Sequence, residues 1–576
     1  MWGVLMKIND VIRITGLTGK AIRLYESKGL VNISRGENGY RNYSQDDVET
    51  LKSIKLFRSV GISVSDIKLY LHGVMSINEL MDKRKAEILR ESGKNSEKYQ
   101  ICESIVNKTP LDTIESNEEF TETEKIKLKS HGTVSVGIDI GTTTISASVY
   151  DIDNKEQLET YTLPHHSYVC ADICSEQSVS LIIEKSEKLL YHILKSYKKI
   201  VSIGISGQMH GIVYIDNNGM AVSNLINWQD KRADRVLENG KTACQAIYDI
   251  TGEGISTGYG IATHYYNMLN GKVPEGAVSF CSIMDYFGMK ICGNKKAVIH
   301  VSVGASLGLF NVKKGDFMWD KLSLLGIDKS FLPTVTGESL VIGKCKGIPV
   351  CIPLGDNQAS FLGSVRENKD SMLVNIGTGS QVSAVSDYLE LRGEIELRPF
   401  IEGKYLICGS ALCGGFAYSM LEEFFRSYAV SAEMQETSQY KVINQLAKDA
   451  YERGEGGLLV DAFFCGKRSD PNLRGSIKMI DRQNFTPSAL VLGVLKGMCN
   501  ELYELYKEFP VKKSHVVASG GAVKKNEVLK NLIADCFGVS VSSNTLKEEA
   551  ATGVALFAAF TSKKIKYNNG FNEYIM

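Results

Sequence analysis

A tight turn in the sequence combines an aspartate, a glycine and several threonines in a way that could bind phosphate. Asp139 lies between the last two apolar residues of an alternating stretch that ends at Ile140, and Gly141, Thr142 and Thr143 follow. The N–H groups and hydroxyls of such a turn form a small cradle for an anion, and a carboxylate beside them can hold Mg²⁺ through water. An ordinary hairpin with a polar turn is the alternative, and this segment alone does not decide between the two.

A second carboxylate, Asp356, comes directly after an apolar strand and precedes Asn357 and Gln358. This arrangement suits a general base beside two amides that hydrogen-bond a polyol. An aspartate is a weak base, but phosphoryl transfer through a loose transition state requires mainly positioning and late acceptance of a proton. Asp356 also fits the N-cap of a helix that starts near Gln358, and the two roles are compatible.

Two more glycine-rich turns follow strands later in the chain. Gly377 and Thr378 lie in a turn of the kind that contacts the terminal phosphates of a nucleotide. Gly520 and Gly521, with Asn526 nearby, would let an adenine ring lie against bare backbone. Each of these segments is a weak signal by itself, but four of them in this order are a strong one.

Side chains suited to a sugar occur between the first turn and the second carboxylate. Met209 and His210 would present an apolar body and a hydrogen-bonding tip, and Trp228 stands close to Asp230. An aromatic face with fixed hydrogen-bonding groups is what a polyhydroxylated substrate needs. The alternatives are a structural histidine and a tryptophan that packs in the core.

The elements that would position these residues differ along the chain. Residues 8–71 show helical periodicity, and residues 76–130 are charged and poor in aromatic side chains. From Val134 onward, apolar strands that end in glycine-rich turns alternate with helical segments. This alternation predicts an α/β architecture with ligands at the strand ends.

The composition limits the class of protein. Hydrophobic residues make up 43% and charged residues 23% of the chain, which is the balance of a soluble globular protein. No apolar run approaches the roughly 20 residues that span a bilayer, and the first ten residues lack the order of a secretory signal. The thirteen cysteines are scattered, with no CxxC pair and no zinc-ligand spacing. We therefore expect a cytoplasmic protein with reduced thiols and no membrane partner.

The order of the motifs resembles that of the FGGY carbohydrate kinases, from about residue 134 to residue 560. The resemblance implies an α/β fold of two ribonuclease-H-like lobes around a cleft, as in actin and hexokinase, with ATP and Mg²⁺ as cofactors. It implies that Asp356 is the catalytic base and that Asp139 and Asp356 lie at the metal. The implied phosphate and nucleotide contacts are Gly141, Thr142, Thr143, Gly377, Thr378, Gly415, Gly520, Gly521 and Asn526. The implied sugar contacts are Gln208, Met209, His210, Trp228, Asp230, Asn357 and Gln358.

Three short segments narrow the substrate that this resemblance implies. Residues 206–211 are similar to the sugar-contacting loop of the xylulokinase and sedoheptulokinase branches. The Trp-Gln-Asp run at residues 228–230 and residues 258–263 are more similar to sedoheptulokinase. We therefore expect phosphorylation of the terminal hydroxyl of a ketose, with seven carbons favoured over five. The same sugar loop disfavours an acetate-kinase-type or chaperone-type member of the superfamily.

The N-terminal segment resembles the winged helix-turn-helix domain of MerR-type regulators, which implies binding to double-stranded DNA. Residues 1–75 hold eleven Lys and Arg against seven Asp and Glu, an excess of +4, although the whole chain has no net charge. Cations interleave with hydroxyl-bearing side chains, as phosphate contacts require. The candidate DNA contacts are Thr18, Lys20, Arg23, Tyr40, Arg41 and Tyr43. The alternatives are a small protein-interaction domain and, for Arg23, an ion pair with Glu26.

These observations predict four segments and two functional interpretations. The segments are a DNA-binding domain at 1–75, a helical arm and linker at 76–132, a sugar-binding lobe at 133–366 and a nucleotide-binding lobe at 367–565. Residues 77–105 could form a dimerisation helix, but their heptad pattern is poor. In one interpretation, a working kinase carries a head that couples sugar status to transcription. In the other, the lobes are only the sugar sensor of a regulator, and the presence of both Asp139 and Asp356 favours the first.

Overall fold

The computed structural model describes most of the chain, with interruptions. The described residues are 6–35, 40–92, 98–99, 102–103, 105, 132–171, 173–238, 240–367, 369–377, 379–389, 393–434, 437–456, 458–467, 470, 472–572 and 574. Within these ranges, every helix is too short or too polar to cross a bilayer. Residues 106–131 of the predicted linker lie outside the described residues. Thr378, a predicted phosphate contact of the second lobe, also lies outside them.

The N-terminal domain is a bundle of short helices with one small hairpin. Its helices are α1 (Ile8–Thr15), α2 (Gly19–Ser27), α3 (Gln45–Ser59), α4 (Val64–Leu71) and α5 (Ile77–Ser92), and its strands are β1 (Ser34–Arg35) and β2 (Arg41–Asn42). Polar caps determine where the helices begin: Thr18 Oγ1 accepts from Ala21 N at 3.1 Å, and the hydroxyls of Ser44 and Ser63 cap α3 and α4. The predicted helical head is confirmed, and β1 pairs antiparallel with β2 where the wing is predicted, although residues 36–39 between them lie outside the described residues.

The first lobe begins at residue 134 and contains most of the strands. Its strands are β3 (Val134–Ile140), β4 (Thr144–Asp151), β5 (Glu156–Pro164), β6 (Tyr168–Ala171), β7 (Ser175–Gln177), β8 (Ile200–Gly207), β9 (Val213–Ile215), β10 (Leu225–Ile226), β11 (Ser279–Cys281), β12 (Val298–His300), β13 (Phe310–Asn311), β14 (Asp316–Phe317), β15 (Thr334–Thr336), β16 (Val341–Cys345), β17 (Ile348–Cys351) and β18 (Leu354–Gly355). Its helices are α6 (Val179–Ser196), α7 (Ala243–Thr251), α8 (Gly260–Leu269), α9 (Ile283–Cys292), α10 (Val301–Leu307), α11 (Trp319–Leu324) and α12 (Asp356–Ser364).

The second lobe is built from fewer elements. Its strands are β19 (Ser371–Ile376), β20 (Ser380–Ser386), β21 (Glu396–Pro399), β22 (Tyr405–Ala411), β23 (Leu459–Asp461), β24 (Ser476–Lys478), β25 (His515–Ser519) and β26 (Ser540–Ser543). Its helices are α13 (Gly415–Ser431), α14 (Tyr440–Glu452), α15 (Pro487–Lys507), α16 (Gly521–Lys525), α17 (Glu527–Phe537) and α18 (Glu549–Thr561).

The main sheets of the two lobes repeat one topology. In the first, β3, β4 and β5 form an antiparallel meander, β8 runs parallel to β3, and β17 and β18 run parallel to β8. In the second, β19, β20 and β22 form the meander, while β25 runs parallel to β19 and β26 to β25. Two such sheets in tandem confirm the prediction of two ribonuclease-H-like lobes.

The C-terminal helix α18 packs on the sheet of the first lobe, although the sequence groups it with the second. It lies against β3, β8 and α12. Gly137 and Gly204 allow this approach, because a Cβ on Gly137 would lie 1.8 Å from the carbonyl oxygen of Ala551 and one on Gly204 would lie 2.0 Å from that of Val554. The first lobe is therefore completed by residues far outside the range 133–366.

Candidate active site

The two acidic residues that the sequence predicts lie at the ends of neighbouring parallel strands. Asp139 on β3 pairs in register with Ser206 on β8, and Ser206 pairs with Leu354 on β18. Asp356 follows two residues later, as the first residue of α12. Strands are spaced by about 4.8 Å, so roughly 10 Å separates the backbones of β3 and β18. Both carboxylates thus lie at the carboxyl ends of the parallel strands, on the same side of the lobe.

Burial raises the pKa of both carboxyl groups. The pKa of Asp139 is about 7, because burial outweighs the hydrogen bond from Ser206 Oγ at 2.7 Å, and the charges of Asp356 and Glu548 raise it further. Burial also raises the pKa of Asp356 to about 6, against the lowering effects of Asn357 and the cation of Arg398. A carboxyl group with this pKa can exchange a proton near neutral pH.

A cavity of about 300 Å³ opens beside the predicted sugar loop. Met209 and His210 line it, together with Tyr259 and Ser306. The backbone of His210 has φ +72°, and its ring lies 2.7 Å from the carbonyl of Ser306 through Nδ1 and 4.4 Å from the ring of Tyr259. The strained backbone and the two contacts fix the imidazole against the wall of the cavity.

Tyr259 is a cavity residue that the sequence reasoning missed. It belongs to residues 258–263, which served only to compare kinase branches. The signal was present in the two flanking glycines: Gly258 has φ +82°, and a Cβ on it would lie 2.1 Å from the carbonyl oxygen of Trp228. This close approach brings the segment against the Trp228 loop and the tyrosine to the cavity.

Asn357 also lies at the site. Its Nδ2 donates to Asp356 Oδ1 at 3.0 Å and lies 3.5 Å from Met209 Sδ. The amide therefore connects the acidic residue with the sugar loop, and it orients the carboxylate.

Three residues expected to contact sugar are instead engaged by the protein. Gln358 is fully buried and donates to the carbonyl of Pro399 at 3.0 Å. Asp230 is fully buried and accepts hydrogen bonds from the backbone and guanidinium of Arg232. Gln208 is buried and donates to Gln177 and to the carbonyl of Gly141. These side chains support the walls of the site and do not line the cavity.

The turn at residues 141–143, which the sequence predicts to bind phosphate, is held by hydrogen bonds within the turn and from His165 and Trp228. The N–H of Gly141 donates to the carbonyl of Thr144 at 2.9 Å, which closes the turn. His165 donates to the carbonyls of Gly141 through Nε2, at 3.2 Å, and of Thr143 through its backbone, at 3.1 Å. Trp228, whose side chain is 46% exposed, donates from Nε1 to Thr142 Oγ1 at 3.0 Å. Trp228 is thus a neighbour of the phosphate turn and is not packed in the core.

Glycines from three strand ends of the second lobe meet at one place. The N–H of Gly415 donates to the carbonyl of Gly377 at 2.7 Å. Gly520 has φ +97°, and a Cβ on it would lie 2.4 Å from the carbonyl oxygen of Ile376. A Cβ on Gly521 would meet nothing within 4 Å. The backbone is therefore bare where the sequence predicts the nucleotide.

Asn526 has a structural role in this arrangement. Its Oδ1 accepts from the N–H of Val528 at 3.0 Å, which caps α17, and its Nδ2 lies 3.4 Å from the hydroxyl of Tyr418. The side chain is buried. It holds the helix behind the glycines, and the described hydrogen bonds use both ends of its amide.

The carboxylates of Asp139 and Asp356 fit a magnesium ion whose remaining ligands are water and substrate phosphates. In the described part of the chain, no group of three or more His, Cys, Asp or Glu side chains could enclose a metal. Mg²⁺ is commonly bound by one or two carboxylates, water and substrate phosphates. Asp139 and Asp356 supply hard carboxylate oxygens of this kind at one strand edge.

Four of the six candidate DNA contacts differ in how available they are. Lys20, Arg23 and Tyr40 are exposed, Tyr40 by 70%. Arg41 is partly occupied, because its Nε donates to Glu26 Oε2 at 2.7 Å. Glu26 therefore pairs with Arg41, where the sequence left a pair with Arg23 open.

The other two candidates differ in exposure: Thr18 is exposed, and Tyr43 is fully buried. The hydroxyl of Thr18 is used as the cap of α2. Tyr43 is fully buried, and its hydroxyl has no hydrogen-bond partner within the described residues. The ring of Tyr43 belongs to the core of the head, and its expected DNA contact stays a prediction that this burial does not favour.

The head is docked on the first lobe through α5. Lys185 on α6 forms an ion pair with Glu79 on α5 and donates to the carbonyl of Pro164 at 3.2 Å. Lys83 on α5 donates to the carbonyl of Thr162 on β5 at 2.8 Å. Helix and strand are therefore joined by charged hydrogen bonds from both sides.

A pair of histidines completes this interface. His72 and His192 approach with their Nδ1 atoms 3.3 Å apart. Burial, with a smaller contribution from Lys68, lowers the pKa of His72 to about 4. The docked arrangement therefore requires His72 to be neutral.

Three family models match the chain. The N-terminal domain of the FGGY family of carbohydrate kinases matches residues 134–363, and the C-terminal domain of the same family matches residues 372–562. The model of the MerR HTH family of regulatory proteins matches residues 6–74.

Curated relatives cover the two lobes. A xylulose kinase from Staphylococcus xylosus is 25% identical over 465 residues, which are 76% of this chain and 92% of the relative. A sedoheptulokinase from Mus musculus is 24% identical over 475 residues, 73% of this chain and 96% of the relative. A glycerol kinase from Saccharolobus islandicus is 28% identical over 452 residues, 73% of this chain and 87% of the relative.

A solved structure, the ligand-bound xylulose kinase from Lactobacillus acidophilus, superposes with a TM-score of 0.65. It is 19% identical, and the match covers 77% of this chain and 92% of that chain. At this identity the likeness shows the fold alone.

Proposed function

Because this chain belongs to the FGGY family of carbohydrate kinases and carries a MerR-type helix-turn-helix domain, we propose that it phosphorylates a ketose and binds DNA through its head. The acceptor is the terminal hydroxyl of a sugar of the sedoheptulose or xylulose type, and the donor is ATP. The observation that carries this proposal is the position of Asp356, a carboxyl group whose pKa is raised to about 6, beside Asn357, whose amide lies 3.5 Å from Met209 at the wall of the cavity.

Asp356 acts as the base in the proposed reaction. The sugar lies in the cavity, where Tyr259 and His210 supply a rigid aromatic wall. Asn357 holds the carboxylate through Oδ1. As the terminal oxygen of the sugar attacks the γ-phosphorus, its proton passes to Asp356, and the bond between the γ-phosphorus and the β,γ-bridging oxygen breaks to release ADP.

Two sets of backbone groups hold the phosphates in this mechanism. The turn at Gly141 to Thr143 binds from the first lobe, and the glycines at 377, 415, 520 and 521 bind from the second. Mg²⁺, held by Asp139 and Asp356, would supply positive charge against the phosphate oxygens. Closure of the lobes excludes water, which would otherwise accept the phosphoryl group.

The ketose assignment is tested by release of ADP from the full chain. Xylulose, fructose and sedoheptulose are compared at equal concentration. Glycerol is included because one of the curated relatives is a glycerol kinase. We expect ketose-dependent release, with sedoheptulose preferred because of the Trp-Gln-Asp run. Faster release with glycerol than with any ketose would contradict the substrate class.

The base assignment is tested by D356N. We expect turnover to fall by about 10²-fold or more, in line with the loss of a general base, while ketose binding changes little. D285N is a matched control, because burial also raises the pKa of Asp285, to about 7, but this residue lies on α9, where its Oδ2 accepts a hydrogen bond from Ser282 Oγ. Near-normal turnover by D356N would refute the role of Asp356.

Coupling between the sites is proposed from the contacts of the head. Lys185 links Glu79 of the head to Pro164, and the next residue, His165, holds the phosphate turn through Gly141. The residue that contacts the turn, His165, is therefore adjacent in sequence to Pro164, which contacts the docking surface through Lys185. DNA affinity and nucleotide or ketose affinity should depend on each other by the same factor, as linkage requires.

The coupling is measured with a duplex selected from a random library by the full chain. Its dissociation constant is determined by fluorescence anisotropy with and without ketose and a non-hydrolysable ATP analogue. We expect a shift of about 5-fold or more that is reduced in K185M. Equal constants under both conditions would refute the coupling and leave the kinase proposal intact.

The second candidate function is that of a sugar-sensing regulator with inactive lobes. The DNA-binding domain favours it, and the presence of the two carboxylates and the glycine turns does not exclude it. Ketose binding that shifts DNA affinity, without any release of ADP, would be the outcome that supports it.

A further inference from the structure

The cavity at the sugar loop has walls from both lobes. Met209, His210 and Tyr259 line it from the first lobe, and Glu396 and Arg398 of β21 line it from the second. β21 is the edge strand of the second sheet. A charged pair from one lobe therefore reaches a cavity that the other lobe begins.

The strand that carries this pair is tied to the helix of the candidate base. Gln358 on α12 donates to the carbonyl of Pro399, the last residue of β21. The ring of Phe400 packs edge-on against Phe361 of α12, with 5.7 Å between the centroids. Because α12 starts at Asp356, these contacts give the charged pair a fixed position relative to that carboxylate.

The hydrogen bonds of Arg398 leave part of its guanidinium available. Nε and Nη2 both donate to Glu396 Oε2, at 3.1 and 2.6 Å. Residues two apart on a strand point to the same side, so the two side chains face the cavity together. Nη1 has no hydrogen-bond partner among the described residues, and the side chain is only 16% exposed. A ligand in the cavity can take these N–H groups.

The charges around the cavity favour a neutral sugar over a sugar acid. Arg398 is accompanied by two carboxylates that line the same cavity, Glu396 and Glu253. The carboxylate of an aldonate would meet two like charges and one cation that is already paired. The hydroxyls of a neutral sugar can accept from the guanidinium and donate to the carboxylates.

We propose that Arg398, held in place by Glu396, is a specificity-determining residue that donates hydrogen bonds to an oxygen of a neutral sugar. The sugar site then depends on both lobes, since one of its contacts comes from β21. This inference rests on the proposed kinase function and deepens it, because it names a sugar contact in the lobe assigned to the nucleotide.

The test is a comparison of R398Q with the unaltered full chain. We expect the KM for the ketose to rise roughly 10- to 100-fold, the effect of losing hydrogen bonds from a charged donor, while the KM for ATP stays within about 2-fold. R453Q is the matched control, because Arg453 also pairs with a glutamate two residues away, Glu455, but does not line the cavity. An unchanged ketose KM, or an equal rise in both KM values, would overturn the proposal.

Two further variants keep the test informative if R398Q does not fold. R398K retains the charge without the planar fork, and we expect it to recover part of the ketose affinity. E396Q leaves the cation unbalanced, and we expect the preference for ketose over gluconate to fall by about 10-fold. An unaltered preference in E396Q counts against the proposal.

Failure of this inference and failure of the kinase proposal give different results. Calorimetric titration with the ketose measures binding without turnover. If the unaltered chain binds ketose but releases no ADP, the kinase proposal fails, and a weaker binding constant in R398Q still supports Arg398 as a sugar contact. If R398Q binds as tightly as the unaltered chain, Arg398 has no such role.

Discussion

Asp139 and Asp356 occupy positions where a negative charge is costly. Burial raises the pKa of the first to about 7 and of the second to about 6, above the value of 3.8 for an unperturbed aspartate. A raised pKa in the folded state means that folding favours the protonated form. Stability from these groups is therefore present at low pH and decreases as pH rises from about 4 through the folded pKa values.

We predict that D356N is more stable than the unaltered chain at pH 8, by about 1–2 kcal/mol, although it loses turnover. The variant removes a carboxylate that is ionised and buried at this pH. The gain should become smaller as pH is lowered from 8 toward 4, because the carboxyl group of the folded chain is protonated below its pKa of about 6. Urea unfolding at several pH values measures it, and a gain that is independent of pH would contradict the electrostatic cause.

In the head, two residues of the predicted DNA contact should behave differently. R23Q removes an exposed cation, so DNA affinity should fall and the slope of log K against log salt should decrease by about one charge. Y43F removes a buried hydroxyl that lacks a partner in the described residues, so affinity and slope should not change. Anisotropy titrations at several salt concentrations measure both. Loss of affinity in Y43F with an intact fold would show that the ring moves out to DNA.

The sequence predicted where the chemistry-bearing residues lie along the chain better than what their side chains contact. Asp139 and Asp356 come together because Asp139 is the next-to-last residue of β3 and Asp356 directly follows β18, and both positions are local patterns. The side chains of Gln358 and Tyr43 are buried. Gln358 donates to the carbonyl of Pro399, and Tyr43 packs in the core of the head, so both depend on partners that are distant in sequence. Short motifs carry no information about such partners. The catalytic and binding roles of the site residues stay predictions.

At the scale of elements, the alternation of apolar strands with helical segments predicted the α/β class, and the resemblance to the FGGY kinases implied two ribonuclease-H-like lobes. The structure confirms both. The placement of α18 on the first sheet was not predicted, because adjacency in sequence assigned it to the second lobe. Small side chains on both surfaces, such as Gly137 and Gly204, were the available signal.

We predict that G137A or G204A destabilises the chain by several kcal/mol or prevents folding. The added methyl group would lie 1.8 or 2.0 Å from a carbonyl oxygen of α18, so helix and sheet must separate. G456A is the control, because a Cβ there meets nothing within 4 Å. Urea unfolding compares the three, and equal midpoints would show that α18 does not pack closely on the sheet.

At the scale of the whole molecule, the head and the first lobe share an interface that contains His72 and His192. Burial, with a smaller contribution from Lys68 on the head, lowers the pKa of His72 from 6.5 to about 4, and His192 on the lobe lies beside its ring. A lowered pKa favours the neutral form in the docked state. Docking is therefore favoured above pH 6.5 and weakens as pH falls toward 4.

We predict that the radius of gyration of the full chain increases between pH 7 and pH 5 as the head separates. Small-angle X-ray scattering measures it. In H72Q the increase should be largely absent, because the group that gains a proton is gone. An identical increase in H72Q would show that another group controls the docking.

The position of α18 has a consequence for synthesis on the ribosome. The first lobe is translated long before residues 549–561, and until they emerge its central sheet has one uncovered apolar face. The sugar-binding half of the protein therefore waits for the last segment of the chain, while the DNA-binding head, whose five helices are local in sequence, can form at once. A ribosome that stops early would release a fragment with a finished head and an exposed sheet, which is a natural substrate for chaperones and proteases.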